Sequence, residues 1–138
     1  MTPSASGNRK LLRFLTSLKE ARKRRPIDDY KPHDKQTVFH KDNHPIRILA
    51  GANRSGKSTA GIAEDIWTAL GIHPYRDVVV PNKGWICGPD FGNWASGTMI
   101  PKWKDMLPKD SIKSFHKNDR GVETKWNLKN GSIIELRS

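Results

Sequence analysis

Cysteine is almost missing from this chain: Cys87 is the only one among 138 residues. That excludes an internal disulfide framework and fits a reducing compartment. Cys87 lies in an apolar segment, where it reads as a small buried side chain rather than a nucleophile. Acids are scarce too, with 14 Asp and Glu against 25 Lys and Arg, a net charge of +11. An excess of this size favours polyanionic partners, whether nucleic acid, nucleotide or an anionic surface. No apolar run approaches the roughly 18 residues of a membrane span, and no membrane partner is expected. The charged N-terminal stretch carries no signal-peptide pattern. Repeats and low-complexity tracts are absent. The histidines (His33, His40, His44, His73 and His116) have neither Cys nor a carboxylate pattern nearby, so a histidine metal site is not expected.

Against these absences stands one complete pattern. Gly51-Ala52-Asn53-Arg54-Ser55-Gly56-Lys57-Ser58 matches G-x-x-x-x-G-K-[ST], a phosphate loop. Two glycines let consecutive N–H groups turn toward phosphates. Lys57 can reach the β- and γ-phosphates, and the Ser58 hydroxyl can join a Mg²⁺ shell, with Thr59 beside it. The flanks fit the same reading. Ile46-Arg47-Ile48-Leu49-Ala50 suits a buried parallel strand. From Lys57 to Leu70, the residues Ala60, Ala63, Ile66, Trp67 and Leu70 recur at helical spacing. Gly71 ends that helix, with Pro74 beyond it.

Elsewhere the pattern is plainer. Residues 1–8 read as a frayed terminus. Arg9 to Arg25 form a basic amphipathic helix, with Leu11, Leu15 and Leu18 on one face and Leu12 and Phe14 flanking it, closed by Pro26. That face could dock on the domain, on a partner or on a membrane surface, and docking on protein is the default expectation. Residues 26–45 are loop-like, with a short helix near Gln36. A glutamine upstream of a phosphate loop can pair with an adenine edge, and Tyr30 could stack on the base. On the residues alone, however, Gln36 reads as an exposed helix position. Asp77 to Pro81 is an edge strand or an extended loop. Gly84 to Gly88 reads as a buried strand. Asp90 to Leu107 reads as a helix interrupted at Pro101, with Trp94, Met99, Trp103 and Met106 as core candidates. Val122–Leu128 and Ser132–Leu136 flank Lys129-Asn130-Gly131 as a hairpin.

The expected fold class is α/β, a P-loop NTPase with a parallel sheet flanked by helices. Residues 1–26 form a basic arm and 27–138 the N-terminal portion of an ATPase domain. Hydrolysis usually needs a second apolar strand ending in an acid, which steadies Mg²⁺. No segment after residue 58 supplies one: Asp77 precedes its apolar run, Asp90 follows a glycine and a proline, and Ile133-Ile134-Glu135 is short. The expectation is therefore a chain truncated before that motif.

The order Tyr30-x-Pro32-x3-Gln36-x2-Phe39-His40, followed by Gly51-Ala52-Asn53-Arg54-Ser55-Gly56-Lys57-Ser58, resembles the large terminase subunit of tailed bacteriophages. Asn130-Gly131-Ser132-x2-Glu135-Leu136-x-Ser138 is similar to the strand before that family's second acidic motif. The resemblance spans roughly residues 28–138. It implies an ATP- and Mg²⁺-dependent motor that packages double-stranded viral DNA, and a separate nuclease domain that this chain lacks. It implies Gln36 as adenine reader and Arg54 as a sensor of the γ-phosphate, so that Arg54 and Lys57 carry the catalytic roles. Partners by resemblance are the small terminase subunit, the portal protein and further copies in a ring, in the host cytoplasm. Two alternatives stand beside it: a helicase-like DNA-dependent ATPase, and a non-catalytic nucleotide-binding or docking module. A small-molecule kinase would gain nothing from the basic helix.

Overall fold

The computed structural model describes residues 5–23 and 25–138, with side chains described at 7–17 and from 25 onward. The described residues form a mixed α/β fold with one four-stranded sheet and helices. Strands β1 (Lys83–Cys87), β2 (Ile112–Lys117), β3 (Glu123–Leu128) and β4 (Ile133–Arg137) lie in the order β1-β4-β3-β2. Only β1 and β4 pair in parallel. The other two pairings are antiparallel, so the sheet is mixed rather than all parallel.

The hairpin reading holds. Lys125, Trp126 and Asn127 of β3 pair with Glu135, Ile134 and Ile133 of β4. Gly131 takes φ 89°, a left-handed angle that a side chain resists. The Asn130 side chain bonds the Ala69 carbonyl, which ties the turn to the helix above.

Among the described residues four α-helices accompany the sheet: α1 (Ala5–Lys23), α2 (Asp34–Lys41), α3 (Lys57–Leu70) and α4 (Ile100–Met106). Helix α3 runs over the span its periodicity predicts and closes on Gly71 at φ 69°. Its buried face packs Ile62, Ala63, Ile66, Trp67 and Ala69 into one core with Ile86, Trp103, Trp126, Leu128, Ile134 and Leu136. The interruption expected at Pro101 appears as a change of helix type. Phe91–Met99 is π-helical, capped by the Asp90 carboxylate at the Asn93 and Trp94 amides, and α4 begins at Ile100 with Pro101 in its first turn. Met99 and Trp103 are buried, while Trp94 and Met106 sit at the margin of the core.

Several expectations give way. Residues 46–50 form no strand, and Ile46 and Ile48 are 83% and 87% exposed. A strand needs a neighbour for its ladder, and none of the four strands takes this segment as a partner. Asp77–Pro81 takes the extended-loop form rather than an edge strand. Strand β1 exposes Trp85 and Cys87 and buries Ile86, because alternate side chains leave the sheet on opposite faces. Cys87 is therefore exposed, not buried. Helix α1 includes Ala5–Asn8, which were expected to fray, and residues 1–4 of that expectation lie outside the described residues. Its Leu11, Leu12, Phe14 and Leu15 stay exposed, so this face does not dock on the domain. The side chains of Leu18, Lys19, Arg22 and Lys23, and all of Arg24, lie outside the described side chains.

Candidate functional site

The loop from Gly51 to Gly56 ends on the N-terminus of α3. Its turn needs two left-handed residues, Arg54 at φ 61° and Gly56 at φ 80°. Gly56 is required twice over, because a Cβ there would also meet Gln36 Nε2 at 2.6 Å. At Gly51 a Cβ would meet Ser55 Oγ at 2.8 Å. The Ser55 amide donates to the Ala52 carbonyl at 3.3 Å, which closes the turn. The Ala60 amide donates to the Gly56 carbonyl at 2.9 Å, so the N–H groups of Lys57, Ser58 and Thr59 precede the helical ladder. These amides sit at the positive end of the helix dipole, an arrangement that receives anions.

Lys57 Nζ curls over the loop and donates to the Gly51 and Ala52 carbonyls, both at 2.6 Å. Gly51, Ala52, Asn53, Arg54, Ser55 and Ser58 are exposed, while Thr59 is half-buried. Residues 51–56 thus form one turn that leads directly into α3 at Lys57.

Gln36 is not the exposed helix position that the residues alone suggest. It is 5% exposed, and its amide is held at both ends. Oε1 accepts from the His33 amide at 3.0 Å, and Nε2 donates to the Gly56 carbonyl at 3.1 Å. An adenine edge would reach this amide only through its remaining lone pair and hydrogen, or by exchanging one of these bonds. His33 adds a second tie, with Nε2 3.4 Å from the Ser55 carbonyl. Tyr30 is half-buried. Its ring lies 5.6 Å from Trp67, and its hydroxyl is 2.9 Å from His40 Nε2.

The residue that sequence reasoning missed is Glu64. It lies among the apolar residues of α3 and is buried. Four side chains converge on its carboxylate. His40 Nδ1 and His73 Nε2 stand 2.7 and 3.2 Å from Oε1, and Arg47 and Arg76 donate to Oε2 at 2.8 and 2.5 Å. The partners assign the tautomers. An ionised carboxylate only accepts, so both histidines donate to it. Tyr30 then donates to His40 Nε2, and His73 Nδ1 accepts from the Tyr75 amide at 3.2 Å. Burial pushes the Glu64 carboxyl up, but the hydrogen bonds from Arg47, His40 and His73 outweigh it and hold it at about 2. Burial and the Glu64 charge together push the Tyr30 hydroxyl up to about 12. Burial lowers His73 against the pull of Glu64. Asp65, next along the helix, is pushed up to about 7 by burial and then by Glu64. The signal was present in the sequence: an acid sits four residues after Ala60 and three before Trp67, within the apolar stripe. Among the described residues, no group of three or more His, Cys, Asp or Glu is arranged to hold a metal ion. No helix among them is long and apolar enough to cross a membrane.

Compared with protein-family models, characterised proteins and solved structures, the chain finds no significant match.

Proposed function

We propose that residues 51–58 bind ATP with Mg²⁺, and that the chain is the ATP-gripping part of a motor that drives double-stranded viral DNA into a capsid. The observation that carries the first half is the loop itself. Arg54 and Gly56 both adopt left-handed angles, and Lys57 closes over the turn at the free N–H end of α3. A phosphate would take the Lys57 ammonium from two neutral carbonyls, exchanging them for a charged acceptor. The left-handed angle at Gly56 fits a backbone whose N–H groups turn toward an anion. Mg²⁺ supplies neutralisation of phosphate charge when bound, and Ser58 is the residue that would hold it.

The second half rests on the terminase-like motif order. In that reading Arg54 offsets charge at the γ-phosphate. Gln36 and Tyr30 stand on the adenine side, and the basic face of α1 contributes to DNA phosphate contact. The small terminase subunit, the portal protein and a homo-oligomeric ring in the host cytoplasm belong to the same proposal. Hydrolysis and DNA cutting are assigned to the full-length family and not to these residues alone.

Titration of the chain with ATP and Mg²⁺ tests the first half. Wild type should bind, and Lys57→Ala should weaken binding at least about tenfold, which corresponds to roughly 1.4 kcal/mol. Equal affinity in the two proteins would sink the assignment. For the motor, DNA-stimulated ATPase activity of the full-length protein should disappear in the same variant.

A further inference from the structure

Glu64 itself is buried and does not touch the loop, yet the arms of its cluster reach both chain segments that lead into the loop. On α2, Gln36 and His40 are four residues apart and share one helical face. Gln36 holds the Gly56 carbonyl at the start of α3, and His40 holds Glu64 two turns further along it. Helix α2 is therefore pinned to α3 at two points. With the His40 contact removed, α2 would pivot about Gln36, and the bond from Gln36 to the loop would lose its fixed origin. The second arm is Arg47, four residues before Gly51. It donates to Glu64 and also to the Phe39 carbonyl at 3.1 Å. Arg47 lies in the very segment that gains no strand partner, and this ion pair ties the entry of the loop to α3. Trp67 covers the cluster, with its ring centroid 4.9 Å from His40 and 5.4 Å from His73.

We propose that Glu64 is a positioning residue of the phosphate site: through His40–Gln36 and through Arg47 it sets the geometry of residues 51–58. A turn that carries a left-handed Arg54 is strained by itself, and persists only where its surroundings hold it. A loop held in advance binds phosphate more tightly, because less ordering remains to be done on binding. The proposal rests on the phosphate-loop reading, and its test separates the two.

Four variants of the whole chain would be compared: Glu64→Gln, Gln36→Leu, the double variant and Lys57→Ala. Two probes would be titrated with Mg²⁺, ATP and inorganic tripolyphosphate, the second having no base to read. Amide hydrogen exchange of residues 53–59 would be followed without ligand. Glu64→Gln and Gln36→Leu should each weaken both probes about tenfold, as expected for one ordering hydrogen bond, and both should speed loop exchange. The double variant should be little worse than Glu64→Gln alone, because the Gln36 arm is one of the two that Glu64 holds. Multiplying effects in the double variant would overturn the proposal. So would a Glu64→Gln protein that loses stability while keeping wild-type affinity and loop exchange. Weakening of ATP alone by Gln36→Leu would make Gln36 a base reader and overturn its role here. Should Glu64→Gln fail to fold, Tyr30→Phe removes only the hydroxyl on His40, and faster loop exchange is again required. If wild type binds neither probe, or Lys57→Ala binds as wild type does, the nucleotide reading has failed. Loop exchange still judges the positioning role.

Discussion

Replacing Glu64 by glutamine should destabilise the folded chain by about 3 kcal/mol at neutral pH, and that cost should shrink in acid. The carboxyl stands at 4.5 when unperturbed and at about 2 in the fold. At about 1.4 kcal/mol per pH unit, the difference amounts to about 3 kcal/mol. A second route gives the same size. Removing one partner of a buried ion pair costs about 3–5 kcal/mol, and here it would leave Arg47 and Arg76 facing each other without an anion. Glu64 is 8% exposed at its side chain, so solvent screens little of this. A domain stable by roughly 5–15 kcal/mol survives the loss.

The sign follows from the direction of the shift. The folded carboxyl is the stronger acid, so its contribution is complete above pH 4.5 and disappears as pH falls toward 2. Urea unfolding of wild type and Glu64→Gln at pH 7, 5 and 3.5 provides the assay. The difference should be about 3 kcal/mol at pH 7 and 5, and about 2 kcal/mol at pH 3.5. Other carboxylates titrate in both proteins and cancel. The groups facing Glu64 are Arg47, Arg76, His40 and His73, with Asp65 as helix neighbour and Tyr30 behind His40. A difference below about 1 kcal/mol at pH 7, or one that stays flat from pH 5 to 3.5, would refute the argument.

Asp65 behaves in the opposite sense. Its carboxyl rises from 3.8 to about 7, so it opposes folding increasingly as pH climbs through that window. Asp65→Asn should raise the free energy of unfolding in urea at pH 8 by up to a few kcal/mol, and with it the midpoint, and leave both nearly unchanged near pH 4. An unchanged midpoint at pH 8 would contradict the burial penalty. Gly131→Ala should cost about 1–2 kcal/mol in thermal or urea unfolding, because φ is 89° and the new Cβ would sit 3.2 Å from Pro81 Cβ. A neutral result would show that the turn relaxes.

What could be read from the sequence divides along one line: whether an element closes its own hydrogen bonds. Helix α3 and the β3–β4 hairpin were legible because their signals are local. A period of 3.6 with a terminal glycine defines the first, and Asn130-Gly131 between two β-prone runs defines the second. The loop motif was legible for the same reason, since its glycines and lysine act within eight consecutive residues. Strand β2 escaped notice because Ile112–Lys117 is polar and exposed, and it owes its place to pairing with β3.

Residues 46–50 show the converse. Ile46, Ile48 and Leu49 have the composition of a buried strand, but a strand is a relation between two segments, and composition reports only one of them. Arg47 gives this run its polar ties, to Glu64 and the Phe39 carbonyl. The same reasoning explains why Glu64 was missed. Its partners come from positions 40, 47, 73 and 76, which no local window contains, and each by itself reads as a surface cation or a solitary histidine. An acid on an apolar helical stripe does carry one inference without a structure. Its burial must be compensated, so cations from elsewhere in the chain have to come to it. In a chain this basic the partners were plentiful, and the acid was the rarer and more informative residue.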